Sequence, residues 1–224
     1  MGSNLRNDRI EERQMMVEDQ IFKRGISNLE LLASMLEVPR HCFVPNDLQL
    51  MAYNDNPLPI GDRQTISQPY IVAAMIEALS LKSTDRVLEI GTGSGYAAAV
   101  LSRLVAQVFT IERIDHLAER ANSVLQQLGY NNIEVSSGDG TMGWKNRSPF
   151  DGIMVSAGAP SVPEALTKQL APGGRLVIPV GDKEVQELLR VTKDQQGELH
   201  TEVLALVRFV PLIGKEGWDS LLLH

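Results

Sequence analysis

Glycines at 91, 93 and 95 follow the apolar run RVLEI, giving the stretch Glu89-Ile90-Gly91-Thr92-Gly93-Ser94-Gly95-Tyr96. A glycine-rich turn between a strand and a helix lets the backbone approach a ligand closely and points helix N–H groups at it. The chemistry first suggested is therefore the binding of a nucleotide-like molecule. The nicotinamide dinucleotide pattern G-x-G-x-x-G needs a third glycine at 96, where this chain has tyrosine. Glu112 stands 21 residues beyond Gly91, at the end of the next strand pattern, where a carboxylate can accept from both hydroxyls of a ribose. Ser137-Gly138-Asp139-Gly140 follows the third strand pattern, and Asp139 is placed there to accept from an adenine amino group. Each signal has a plainer counterpart: a tight turn using glycine for its φ freedom, a strand-end charge facing solvent, an ordinary Asp-Gly turn. Their occurrence in this order gives the ligand reading its weight.

Such residues meet only if strand ends are gathered along one edge of a sheet. Strand patterns at 86–90, 107–112, 133–137, 151–156 and 174–180 alternate with helical patterns at 96–105, 114–128 and 161–170. Runs that are apolar throughout, alternating with helices, predict a parallel sheet covered on both faces. The tail differs: ELLRVTK and TEVLALVRF flank the turn-rich DQQGEL, which predicts an antiparallel hairpin. Before the sheet, residues 8–24 carry Ile10, Val17 and Ile21 at helical spacing, and Ser27 with Glu30 has the form of a capping box for a second helix that Pro39 ends. Pro69 to Ser80 reads as a helix with Ile71, Met75, Ile76 and Leu79 on one face. The stretch between, 38–69, lacks clear periodicity and is too long for an ordinary connection; its apolar content argues against disorder, so a functional loop is expected. The predicted fold is α/β: a doubly wound, mostly parallel sheet with C-terminal antiparallel strands and an N-terminal helical extension. One domain is expected, with residues 1–80 as helices and substrate loop and 81–224 as the cofactor-binding core.

Composition narrows the partners. Lys and Arg total 21 against 28 for Asp and Glu, a net charge of −7 with no basic cluster, which weighs against a nucleic-acid partner. Cys42 is the only cysteine, read as a small buried thiol, so no intrachain disulfide can form. No stretch of 18 apolar residues occurs and the start lacks a secretory leader, so a soluble, cytoplasmic protein is expected, with no membrane partner; a monomer is expected too, although no sequence feature fixes the oligomeric state. Met1-Gly2-Ser3 does not fit the myristoylation pattern, because position 6 is Arg. His41 lies in the loop, whereas His116, His200 and His224 are expected at the surface or terminus, and no triad or metal-ligand spacing stands out.

The glycine stretch E-I-G-T-G-S-G at a strand end resembles motif I of the class I S-adenosylmethionine-dependent methyltransferases. The resemblance has physical sense: the methionine end of that cofactor carries an ammonium and a sulfonium and no pyrophosphate, so acidic residues beside the turn are favourable. LPIG with QTISQPYIVA, VLEIGTGSGY, TIER, GDG, LVIPVG and RFVPLIG are together similar to the protein-L-isoaspartate O-methyltransferase family, over roughly residues 36–214. Arg63 stands where that family often has glycine and Ala97 where glutamine is frequent, which implies adjusted loop stiffness or cofactor contacts without loss of activity.

The resemblance implies methyl transfer from S-adenosylmethionine, without a metal, to the free α-carboxylate of an L-isoaspartyl residue in a damaged protein or peptide. It implies cofactor contacts from Glu89, Gly91, Thr92, Gly93, Gly95, Glu112, Gly138, Asp139 and Gly140, an active-site role for Ser67, and substrate contacts from Thr65 and Gln68. A carboxylate of pKa ~4 is already ionised at neutral pH and needs no general base. Ser67 has a second reading as N-cap of the helix beginning near Pro69. Two other functions remain open: a methyltransferase acting on a small molecule or RNA, and a non-catalytic nucleotide-binding module. RNA is disfavoured by the acidic balance and by Ser156-Ala157-Gly158-Ala159-Pro160, where an Asn/Asp-Pro-Pro-aromatic motif would stand.

Overall fold

A computed structural model describes residues 9–219; His224 and the Met1-Gly2-Ser3 start lie outside them. The chain opens with α1 (Ile10–Met15), which passes through a π-helical turn at Met16–Ile21 into a 3₁₀ turn at Phe22–Arg24. The wider π turn rotates the buried face relative to a regular 3.6-residue helix. Arg13, Met16, Val17 and Ile21 are buried, and Ile10, expected on the apolar stripe, is 42% exposed. Helix α2 (Leu29–Glu37) follows, and its N-cap is Asn28, whose side chain accepts from Leu31 N. Ser27 is therefore not the capping residue; the backbone N–H groups of Ser27 and Asn28 both donate to Glu77 Oε1 instead.

The long stretch 38–69 is structured. It holds 3₁₀ turns at Arg40–Phe43 and Asn46–Met51 and a small hairpin of β1 (Leu58–Gly61) and β2 (Gln64–Ile66). Asp62 and Arg63 join these strands, both with positive φ (51° and 58°), as a two-residue type I′ turn demands. The family glycine at 63 is thereby explained: Arg63 occupies a left-handed position that glycine takes without steric cost. Cys42 is only partly buried, packed against the core rather than enclosed by it.

After α3 (Pro69–Leu79), the main sheet is built from β3 (Arg86–Ile90), β4 (Gln107–Glu112), β5 (Ile133–Ser137), β6 (Phe150–Val155), β7 (Leu170–Gly181), β8 (Gln186–Lys193) and β9 (Leu199–Val207). Its order is β5-β4-β3-β6-β7-β8-β9, parallel from β5 to β7 and antiparallel for the last two strands. Helices α4 (Tyr96–Leu101), α5 (Asp115–Gln127) and α6 (Glu164–Lys168) make the connections. All three are shorter than their sequence patterns, α5 by one residue at each end, and α6 starts late because Pro163 is its N-cap, with Leu170 already in β7.

Alternate residues along each strand feed opposite cores, as the period of two requires. Val87, Val108, Met154 and Val177 pack with the N-terminal helices, α3 and α4. Leu88, Phe109, Ile153 and Leu176 pack beneath α6, Trp144 and Leu212. The sheet is thus covered on both faces except at β9, an edge strand exposed along its length up to Val207. The chain runs from β3 outward to β5 and then returns to the other side of β3 at β6. This reversal leaves a crevice beyond the strand ends, the ligand position in open α/β sheets.

Candidate active site

The crevice forms where β3 stops. Gly91 N and Thr92 N still donate to Ile111 O, at 2.8 and 3.3 Å, so the chain leaves the sheet only after residue 92. Gly91 and Gly95 then take φ of 90° and 88°, and Gly95 delivers the chain into α4. Glu112 pins the loop: its Oε2 accepts from Gly93 N at 2.9 Å and its Oε1 from Ile114 N at 3.0 Å. Gly140 closes the floor, because a Cβ there would lie 2.5 Å from Ile90 Cγ2.

Glu89 is fully buried and lines this cleft. Its Oε2 accepts from Thr110 Oγ1 at 2.6 Å, and Thr110 Oγ1 in turn meets Thr92 Oγ1 at 2.6 Å. Glu89 Oε1 has no hydrogen-bond partner among the described residues. Burial pushes this carboxyl up to about 8; the Thr110 bond opposes the shift and the nearby Glu112 charge adds to it. A buried carboxylate with an orphaned oxygen, beside a loop of close-approaching backbone, suits a ligand that brings its own positive charge.

The cleft has about 990 Å³ of space, part of it open to solvent. One wall comes from β2, through Gln64, Thr65 and Ile66, with Ser67 just after it, and the other from residues 210–213. Asp62 at the hairpin tip pairs with His116 Nε2 on α5 at 2.5 Å. A second, outer groove shares Thr65, Ser67, Ser156, Val210 and Pro211 with the cleft, so the two open into each other across this rim.

Ser67 sits half-buried on that rim with its carbonyl accepting from Arg40 Nη2 at 2.8 Å. The N-cap of α3 is Gln68, with no side-chain cap and Pro69 as the first helical residue. Ser67 is therefore not a helix cap, and its hydroxyl is not committed to α3. Arg40 supports the rim without any sequence signal, because a lone arginine in an aperiodic loop has no pattern to mark it. It is fully buried, donates also to Ala52 O at 2.8 Å, and lies 4.8 Å from the Tyr96 ring centroid. Burial lowers its pKa to about 10, which leaves it charged at neutral pH.

The expected site residues divide. Glu89, Gly91, Thr92, Gly93, Glu112, Gly140, Thr65 and Ser67 all line the cleft. Gln68 lines only the outer groove, where its Nε2 donates to Asp55 Oδ2 at 2.7 Å. Gly95 lies beneath the loop, in reach of Ala121 and Leu125 of α5. Gly138 and Asp139 stand outside the lining. Asp139 Oδ1 accepts from Thr141 N and Oγ1, and its Oδ2 from Lys215 N, so this carboxylate anchors the C-terminal segment. The loop histidine is likewise structural: His41 Nδ1 bonds the Tyr53 hydroxyl at 2.7 Å, away from the cleft.

The sequence matches the profile of the protein-L-isoaspartate(D-aspartate) O-methyltransferase family (PCMT) over residues 11–217. The chain belongs to this family. A protein-L-isoaspartate O-methyltransferase of Pelotomaculum thermopropionicum is 61% identical, with 96% of this chain and 93% of that protein covered. One from Syntrophus aciditrophicus is 55% identical over 95% of this chain and 99% of its own. Among solved structures, a protein-L-isoaspartate O-methyltransferase superposes with a TM-score of 0.83 at 31% identity, covering 93% of this chain and 67% of the other. A Plasmodium falciparum structure described as a PCMT in complex with S-adenosyl-L-homocysteine gives 0.78 at 25% identity, covering 90% and 98%. The PCMT match favours isoaspartyl methylation over the small-molecule and RNA alternatives, and it makes the chain an S-adenosylmethionine-dependent methyltransferase.

Proposed function

We infer that this chain methylates the free α-carboxylate of L-isoaspartyl residues in damaged proteins and peptides, initiating their repair. The observation that carries the reading is the pair of joined chambers. An inner cleft fits a cationic, nucleoside-bearing ligand, an outer groove is open enough for a polypeptide, and Ser67 lies on the rim they share. S-adenosylmethionine supplies an electrophilic methyl group, and the substrate carboxylate, ionised at neutral pH, is the nucleophile.

The residues do the rest by placement. Glu89 Oε1 takes the positive charge of the methionine end, and the backbone of Gly91 and Gly93 gives it room. Glu112, already fixed by two backbone N–H groups, turns its remaining lone pairs to the ribose. Gly95 and Gly138 shape the loops from behind, and the Asp139 carboxylate holds the chain at 215, just beyond the wall. The Ser67 hydroxyl donates to the substrate carboxylate, with Thr65 beside it and Gln68 in the outer groove. Ile66, Met75 and Met154 supply the apolar part of the lining and displace water from the carboxylate, where alignment lowers the barrier.

The reading includes one methyltransferase domain acting as a monomer in the cytoplasm, and the single cysteine fits a reducing compartment. The test is incubation with methyl-labelled S-adenosylmethionine and two peptides that differ only in Asp against isoAsp. Base-labile methyl ester on the isoAsp peptide alone is expected; labelling of both, or of neither, would refute the reading.

A further inference from the structure

The outer groove has a charge pattern of its own. Among the described residues its only ionisable lining residues are Lys183 and Arg208, both cationic, in a chain whose net charge is −7. Arg208 is exposed and makes no hydrogen bond or ion pair among the described residues. Its backbone is held on either side: β9 ends at Val207, Phe209 N donates to the buried Gln186 Oε1 at 2.8 Å, and Val210 O accepts from Gly158 N at 2.8 Å. Lys183 is carried by a turn in which Asp182 Oδ1 accepts from Glu184 N and Val185 N, and its Nζ lies 5.5 Å from the Trp218 ring centroid. Neither cation lines the inner cleft, so both stand off the rim where the reacting carboxylate must sit.

We propose that Arg208, assisted by Lys183, forms a subsite for acidic side chains flanking the isoaspartyl residue. The proposal rests on the isoaspartyl reading of the function. A cation against the reacting carboxylate would weaken it as a nucleophile. A cation displaced along the groove instead meets neighbouring residues of the same substrate chain. Exposed charge pairs are individually weak, so the subsite biases selection among isoaspartyl sites through attraction of Asp or Glu and repulsion of Lys or Arg, without excluding neutral sequences. It also acts within an enzyme whose overall negative charge opposes acidic substrates, so the Arg208 charge in the groove sets the sign of the preference.

The test uses three isoaspartyl peptides identical except for Glu, Gln or Lys at the two residues on each side of the isoaspartate. kcat/KM is measured with the wild type, Arg208→Gln, Arg208→Glu and Lys183→Gln, at low and high salt. In the wild type the Glu peptide is expected to exceed the Lys peptide by about tenfold, mostly in KM, with the ratio shrinking at high salt. Arg208→Gln should reduce the ratio to about threefold or less, and Arg208→Glu should invert it. Because the ratio is read within each variant, a general loss of activity or stability cannot imitate inversion. A ratio near one in the wild type, or a preference unchanged by Arg208→Glu, overturns the subsite while leaving isoaspartyl methylation intact. Methylation of none of the peptides by the wild type overturns both.

Discussion

Glu89 offers the most quantitative test of how the cleft takes its ligand, through the variant Glu89→Gln and the pH dependence it removes. In the free protein the carboxyl is held at about 8, against 4.5 for an ordinary glutamate, chiefly because it is buried. A raised folded-state pKa makes the sign definite: the stability associated with neutral Glu89 is fully present below about pH 4.5 and is lost as pH rises through about 8. The loss relative to the Gln variant is roughly 3 kcal/mol by pH 7 and on the order of 5 kcal/mol by pH 9. Urea unfolding of both proteins at pH 5, 7 and 9 reads it directly. If a cationic ligand stabilises the carboxylate, binding at pH 7 should release roughly 0.9 proton from Glu89. Calorimetry of S-adenosylmethionine in two buffers of different ionisation heat measures that release, and subtracting the Gln variant removes the ligand's own amine. Release should vanish above about pH 9. Equal proton release by the two proteins, with parallel stability curves, would refute the account of Glu89 as a proton-binding counter-ion.

Ser67→Ala should lower kcat/KM for an isoaspartyl peptide tenfold or more, about 1.4 kcal/mol, while unfolding free energy changes by less than about 0.5 kcal/mol, since the hydroxyl caps no helix; a fully active Ala variant would remove its positioning role. Glu112→Gln should weaken S-adenosylmethionine binding by about 1.5–3 kcal/mol by calorimetry, and unchanged affinity would move the ribose site elsewhere. Arg63→Gly should raise stability by up to about 1 kcal/mol in thermal melts, because φ of 58° is strained for arginine; a destabilised variant would show that the Arg63 side chain supports the hairpin. Arg40→Met leaves the Ala52 and Ser67 carbonyls without their donor and should cost about 2–4 kcal/mol in denaturant unfolding.

The parallel strands were legible because each is a short apolar run with helical patterns on both sides, and three of the five begin and end as read. Where local rules compete, the reading slipped. Asn28 captured a cap that Ser27 and Glu30 were equally suited to form, and Ile10, at the start of the first helix, is exposed although its spacing puts it with Val17 and Ile21. The long loop is aperiodic in sequence because its turns and hairpin are held by distant elements, through Gln20 to Tyr53 O, Arg120 to Ile60 O and His116 to Asp62.

The site divides along the same line. Glu89, the glycines and Glu112 are set by their positions at strand ends, so a parallel sheet alone brings them together. Asp139 occupies an equally suitable strand end, and its oxygens also hold Thr141 and Lys215; the second of these partners, 76 residues away, could not be foreseen from spacing. Substrate recognition is less legible still. The rim joins 65–67, Ser156 and 210–211, segments that share no local pattern and meet only through the hairpin, the β6 end and the chain leaving β9. Such a surface is specified by long-range packing, so a local departure such as Arg63 alters one turn without disturbing the rim. A change at Gln186 should do the reverse: its buried amide fixes Phe209 N and Asp182 O together, and with them the wall that carries Arg208.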